Sequence, residues 1–243
     1  MKIQEYLASP RKKRAYNRAL FGIIAPRYNL ATRLLSFFRD QRWKKTLIRD
    51  LPDKPARVIV DFACGTGDIT FMLRQKYPAA RIIAGIDLTA AMLAAARGCP
   101  GALRSVRLIQ ADMQASPLRD CCADIVTGGY ALRNAPDLAA FLAEVRRVLA
   151  PGGIAAFLDF SRPRLRAAGR LRHGLLLAWG WFWGWALHRD RAVYAYIAES
   201  LSVFPDSAEL FRIIARAGFT GITARTFFLG TIAIVAFSKP ADT

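Results

Sequence analysis

VIVDFACGTGDIT, from Val58 to Thr70, joins a short β-branched run to an acid, turns through two glycines and enters an apolar segment of helical spacing. Val58-Ile59-Val60 reads as a buried strand ending at Asp61, and Ile69, Met72 and Leu73 as one face of the helix that follows. Strand, glycine-rich turn and helix start form the repeating element of a doubly wound α/β sheet. Glycine lets backbone approach a ligand closely and take positive φ, and the first turn of a helix offers N–H groups that the helix leaves unpaired. A tight βα turn that binds nothing is the plain alternative, and the rest of the chain weighs against it.

The second apolar run, RIIAGIDL, places Asp87 20 residues after Gly67, where such folds put the acid that holds ribose hydroxyls. The third, VRLIQADM, is followed directly by Asp112. The fourth, ADIVTGGYAL, leads to a helix over residues 138–149, then Pro151-Gly152-Gly153 and a fifth run, IAAFLDF. ITARTFFLG and TIAIVAFSKP close the chain as a hairpin. This order resembles the class I S-adenosylmethionine methyltransferases. The resemblance implies a Rossmann-like, seven-stranded sheet with an antiparallel last strand, preceded by N-terminal helices and interrupted by a helical cover. It further implies S-adenosylmethionine as cofactor. The loop residues Asp61, Ala63, Gly65, Thr66 and Gly67 would face the methionine moiety, Asp87 and Leu88 the ribose, and Asp112 and Met113 the adenine. A dinucleotide site would call for G-x-G-x-x-G, but Thr70 stands three residues after Gly67.

With 243 residues the chain can bury one α/β core with additions. Cys64, Cys99, Cys121 and Cys122 lack C-x-x-C spacing and there are two histidines, so no metal site is expected and the thiols read as unpaired. Residues 1–18 are polar and basic, without the apolar core of a signal peptide. The net charge of +18 is unevenly spread. Residues 1–57 carry 15 Lys/Arg against 4 acids, and residues 162–191 carry 7 against 1. Residues 58–161 nearly balance at 10 against 9, and residues 192–243 balance at 4 against 4. Basic segments flanking a near-neutral body point to an anionic membrane surface or nucleic acid.

GLLLAWGWFWGWAL, residues 174–187, holds four of the five tryptophans and no charge. It is shorter than the ~20 residues a spanning helix needs. Arg162, Arg164, Arg166, Arg170 and Arg172 precede it, and Arg189 and Arg191 follow. A buried core helix is one reading. Tryptophan beside arginine favours the other, a helix at the lipid headgroup boundary that also covers an apolar substrate. Nucleic acid is the weaker partner, since the charges bracket an apolar patch rather than a polar groove. Upstream, residues 1–20 read as a frayed or helical basic arm, and residues 25–51 as one or two amphipathic helices.

Four motifs narrow the resemblance: D-x-A-x-G-T-G-D at 61–68, Leu132-Arg133-Asn134, R-V-L-x-P-G-G-x(5)-D-F-S-R-P at 147–163, and Y-x-Y-I-x-E-S at 194–200. Together with Arg27-Tyr28-Asn29-Leu30 they resemble the ubiquinone/menaquinone biosynthesis C-methyltransferases over residues 20–238. That resemblance implies methylation of a prenylated quinol by a cytoplasmic enzyme lying on the inner face of the cell membrane, and leaves a homodimer open. Arg133 would stabilise a phenolate and Asn134 would bond the second oxygen, while Tyr194, Tyr196 or a water on Arg133 would take the proton. His188 reads as structural. The chain departs from the family at Cys64, where glycine is usual, at Arg189 and Val193 before Y-x-Y, and in its Arg/Trp-rich cover. N- or O-methylation of another lipid, or lipid binding without turnover, are the alternatives.

Overall fold

Five parallel strands, β1 (Val58–Phe62), β2 (Ile82–Asp87), β3 (Arg107–Gln110), β4 (Ala123–Gly129) and β5 (Leu149–Phe160), are joined by an antiparallel pair, β6 (Thr220–Phe227) and β7 (Ile232–Ser238). The computed structural model describes residues 5–6, 9–99, 106–162 and 167–241. The strand order is β3-β2-β1-β4-β5-β7-β6, so β7 lies between β5 and β6 and runs against both. Ile59 to Phe62 are all buried, as expected of a central parallel strand covered on both faces. The order reverses between β1 and β4, and the crevice beyond their carboxyl ends is where such sheets bind ligands.

Pro151-Gly152-Gly153 does not precede the fifth strand but lies within it. The register passes from Ala123 opposite Leu149 to Ile125 opposite Ile154, so Ala150 to Gly153 bulge from the ladder. Their backbone is satisfied from the chain's end: Gly152 N–H donates to Lys239 O and Lys239 N–H to Gly153 O, both at 3.0 Å.

The basic N-terminal arm is an ordered helix, α1 (Pro10–Ile24), started by Pro10 and a Ser9 side chain that accepts from Lys12 N–H at 3.3 Å. After a single 3₁₀ turn come α2 (Tyr28–Leu35) and α3 (Asp40–Asp50). Trp43, Leu47 and Ile48 of α3 share a core with Ile59, Leu73 and Ile83, while Leu20 and Ile24 of α1 pack with Met92, Tyr194 and Tyr196. The N-terminal region thus belongs to the main body. Part of its charge is used internally: Arg14 Nε lies 2.7 Å from Asp112, and buried Lys44 lies 3.1 Å from Asp40 and 2.8 Å from Asp68.

The remaining helices are α4 (Asp68–Lys76), α5 (Ala90–Arg97), α6 (Ala131–Asn134), α7 (Leu138–Val148), α8 (Ala167–His188), α9 (Ala192–Val203) and α10 (Ser207–Arg216). The tryptophan segment lies in α8 and is two-faced. A Cβ at Gly180 would stand 2.6 Å from Tyr194 O, so the glycine lets α8 lie against α9. Trp183 is half-buried on that side, whereas Leu175, Trp181, Phe182 and Trp185 are exposed. Among the described residues no helix is long and apolar enough to cross a membrane. Of the arginines before the tryptophan segment, Arg164 and Arg166 lie outside the described residues, as do the side chains of Arg170 and Arg172. Arg162 donates to Ser202 O at 2.8 Å and Phe204 O at 2.7 Å, tying β5 to α9.

Candidate active site

Two cavities meet beyond the carboxyl ends of β1 and β4. The narrower is a cleft walled by Ala63, Gly65, Asp87, Leu88, Asp112 and Met113 of the expected cofactor residues, together with Ile86, Thr89, Met92 and Ala111. Asp87 ends β2, and its carboxylate accepts Gly65 N–H at 2.9 Å and Thr89 N–H at 2.8 Å. The acid therefore shapes the glycine loop as well as facing the cleft. Burial pushes its pKa up, against the pull of those N–H donors. Asp112 caps its own turn, accepting Gln114 N–H at 3.0 Å, and its other oxygen is held by Arg14, which brings α1 to the edge of the cleft.

Asp61, Thr66 and Gly67 do not line this cleft. Asp61 is sealed in the sheet, accepting Thr70 Oγ1–H at 2.6 Å and Thr127 Oγ1–H at 2.9 Å, and burial raises its pKa to about 6. It ties β1, α4 and β4 together beneath the loop. Thr66 donates to Asn29 Oδ1 at 2.7 Å, joining the loop to α2. Gly67 takes φ 85° at the start of α4, where a Cβ would meet the Phe71 ring at 2.6 Å. Cys64 is accommodated by Gly85, whose Cβ would lie 2.9 Å from its sulfur.

The second cavity is wide and apolar, about 680 Å³. Leu20, Tyr28, Trp179, Tyr194, Tyr196 and Phe160 form much of its wall, and Phe37, Leu175, Phe228 and Leu229 lie at its exposed rim. Phe21, Tyr28 and Asn134 border both cavities. Arg133 and Asn134, two of the polar side chains that line it, come from α6. Tyr130 turns the chain out of β4 in a left-handed conformation, φ 59°, with its N–H donating to Leu158 O at 2.6 Å.

Arg133 is buried between the rings of Phe160, 4.9 Å from the guanidinium carbon, and Tyr196, at 5.7 Å. Its side chain donates to Ser200 Oγ, its backbone N–H to Asp159 Oδ2 at 2.9 Å, and its Nε stands 3.7 Å from Asp159 Oδ1 without a hydrogen bond. Burial raises the Asp159 pKa and Arg133 opposes that rise. Asn134 donates through Nδ2 to Tyr130 O at 2.8 Å, which leaves Oδ1 buried with no partner. An orphaned acceptor at the meeting of two cavities is a position for a ligand hydroxyl.

Both α9 tyrosines reach the cavity. Tyr196 has a buried hydroxyl, and burial lifts its pKa to about 12 although Arg133 and Asn17 oppose this. The Tyr194 hydroxyl lies 3.0 Å from His188 Nε2, and burial raises its pKa as well. Sequence reasoning assigned no role to Lys13, Asn17, Tyr28, Asp159 or Ser200. Lys13 donates to the Arg133 and Ala135 carbonyls at 2.8 and 2.7 Å, and Asn17 to Asn134 O at 2.8 Å. These bonds clamp α6 from α1. Burial, with help from Arg133, lowers the Lys13 pKa to about 8. Asp159, Ser200 and Tyr28 stood inside motifs that could have flagged them; Lys13 and Asn17 carried no local signal.

A model of the ubiE/COQ5 methyltransferase family matches residues 10–239. The chain belongs to that family. It is 36% identical to the demethylmenaquinone methyltransferase of Thermus thermophilus, covering 91% of this chain and 100% of that protein. It is 35% identical to the ubiquinone/menaquinone biosynthesis C-methyltransferase of Acidiphilium cryptum, over 92% and 90% of the two chains. Among solved structures, an S-adenosylmethionine-dependent methyltransferase from Thermotoga maritima aligns with TM-score 0.63 and 18% identity, over 90% of this chain and 99% of that one.

The protein is therefore an S-adenosylmethionine-dependent methyltransferase with a Rossmann-like fold. The cleft fits that cofactor: a buried carboxylate suits a ribose diol, small residues Ala63 and Gly65 allow close backbone approach, and Leu88, Met92 and Met113 offer an apolar slot. When bound, the cofactor supplies an electrophilic methyl group on a sulfonium.

Proposed function

We propose that this methyltransferase acts on a ring carbon of a prenylated hydroquinone, demethylmenaquinol or a benzoquinol relative, while lying on an anionic membrane surface at the cytoplasmic face. The observation that carries the reading is the placing of Arg133 and Asn134. Both line the large apolar cavity, and Asn134 stands at the wall that it shares with the cofactor cleft. An aromatic carbon is a poor nucleophile until a ring hydroxyl gives up its proton. Arg133 would hold the resulting phenolate, stabilising charge that develops during transfer, and Asn134 Oδ1 would accept the second hydroxyl. Phe160, Tyr196 and Tyr28 leave room for a flat head group, and a cavity of about 680 Å³ suits that group and the first part of a tail.

The rest of the tail would pass the rim into lipid. Phe38 is 69% exposed and Leu229 97% exposed, with Phe37, Phe228, Trp181 and Trp185 exposed nearby in the structure or sequence. Arg33, Arg39, Arg42 and Arg189 are also exposed, and Arg39 and Arg189 lie over the Phe228 and Trp185 rings. Apolar insertion together with cations for lipid phosphate is the combination that holds a protein at a bilayer surface. The test is to incubate the purified protein with labelled S-adenosylmethionine and a bacterial lipid extract, then identify the labelled lipid by mass spectrometry. A C-methylated quinol is expected; label on a phospholipid amine or on oxygen would overturn the assignment.

A further inference from the structure

C-methylation of a neutral hydroquinone by a sulfonium releases one proton per turnover, and the polar end of the acceptor cavity is buried. We propose that Tyr194 and His188 carry that proton out of the cavity, with His188 as its acceptor. The inference rests on the C-methylation reading above. Tyr194 lines the cavity at 4% exposure, and its hydroxyl is 3.0 Å from Nε2 of His188, the last residue of α8. His188 is only partly buried and is followed by exposed Arg189 and Asp190, so the pair runs from the cavity wall to the surface. Tyr194 thus bonds to a group that titrates near neutrality.

The charges around the pair suit this use. Burial and Arg27 of the 3₁₀ turn lower the His188 pKa below the ordinary 6.5, with Asp190 opposing, so the ring is neutral and able to accept at neutral pH. Burial and neighbouring Tyr28 raise the Tyr194 pKa, with Arg27 opposing, so Tyr194 relays a proton rather than standing as a tyrosinate. In the step, the acceptor O–H bond breaks and its proton goes to the Tyr194 oxygen. The former Tyr194 proton passes to His188 Nε2. The ring carbon takes the methyl group, whose bonding pair stays on sulfur. The ring C–H proton then moves to the ring oxygen, restoring the hydroxyl, and His188 gives its proton to water.

His188→Gln tests this, because the amide keeps an acceptor for the Tyr194 hydroxyl but is not a base. Wild type, H188Q and Y194F are compared with labelled S-adenosylmethionine and a short-tailed demethylmenaquinol, from acid to mildly alkaline pH. Wild-type kcat is expected to rise with pH through a value below 6.5 and then level off. H188Q should lose that acid limb and about 10²-fold in kcat with KM kept, and His188→Ala should regain turnover when imidazole is added. Histidine ring-nitrogen NMR supplies a readout without turnover: Y194F should move the His188 titration. An active wild type whose kcat and acid limb survive in H188Q overturns the relay alone, as does an unmoved His188 titration in Y194F. A wild type inactive on every quinol overturns the C-methylation reading on which the relay depends.

Discussion

The cleft at the ends of β1 to β3 is narrow and set with a buried carboxylate, whereas the cavity beside it is wide, apolar and open at a rim of exposed aromatic side chains. The cleft is made by short turns, each following one strand: Ala63 and Gly65 after β1, Asp87 and Leu88 at β2, Asp112 and Met113 after β3. The cavity is assembled from α1, α2, the loop before α3, α6, α8, α9 and the β6–β7 hairpin. A small charged cofactor needs fixed polar contacts at short range. A greasy acceptor needs enclosed volume with polarity at one end, and volume can only be enclosed by elements that converge from far apart.

If the division holds, the largest effect should fall on chemistry without touching the cleft. Arg133→Ala should cut methyl transfer by about 10²–10³-fold, the usual loss for a charge-stabilising group, with cofactor affinity by calorimetry staying within a few-fold. It should also lower stability, since buried Asp159 would lose the guanidinium 3.7 Å away and keep only the backbone N–H groups of residues 133 and 160. Loss of cofactor binding with turnover kept at saturation would erase the distinction between the two cavities.

Asp87→Ala works from the other side. Each charge-assisted bond to a ribose hydroxyl contributes about 1.5–3 kcal/mol, so cofactor affinity should fall by at least tenfold. Unchanged affinity in the titration would remove Asp87 from the cofactor site.

Asp61 sharpens the boundary of the cleft. Its folded pKa of about 6 lies above the ordinary 3.8, so its contribution to stability is full below 3.8 and is lost as pH rises through 6. Asp61→Asn should therefore be more stable than wild type at pH 8, by about 2–3 kcal/mol from a shift of this size, with the gain gone at acid pH. Chemical denaturation at two pH values measures it; equal stabilities at pH 8 would show that the carboxylate is not held as the structure has it.

The smallest effect concerns the rim. Replacing exposed Trp181 and Trp185 with Ser should weaken co-sedimentation with anionic vesicles at 1 M salt, where charge is screened within about 3 Å, while Trp183→Ser, against α9, should instead lower the melting temperature. The reverse pattern would make the outer face of α8 a packing surface.

The same division governs what could be read from the sequence. Glycines, strand-end acids and their spacing are local, so the succession of strands and the Asp87 and Asp112 positions were legible. Asp61 and Gly67 were legible as parts of the loop, but not as supports beneath it, because Thr127 lies 66 residues from Asp61. On the acceptor side the family motifs marked Arg133, Asn134, Tyr194 and Tyr196. Their supports were hidden, since Arg133 meets Ser200 across 67 residues and Lys13 meets Ala135 across 122. The basic arm looked like surface charge because nothing near Lys13 and Arg14 shows what they will touch.

That clamp from α1 onto α6 bears on how the chain is made. Synthesis runs from the N-terminus, so α1 is finished more than a hundred residues before the carbonyls of Arg133, Asn134 and Ala135 exist. Contacts of such separation form late in folding, because a long loop must close before they reward it. During that interval Leu20 and Ile24 of α1 are without the partners they later bury against. Docking α1 then becomes the step that completes the walls of both cavities.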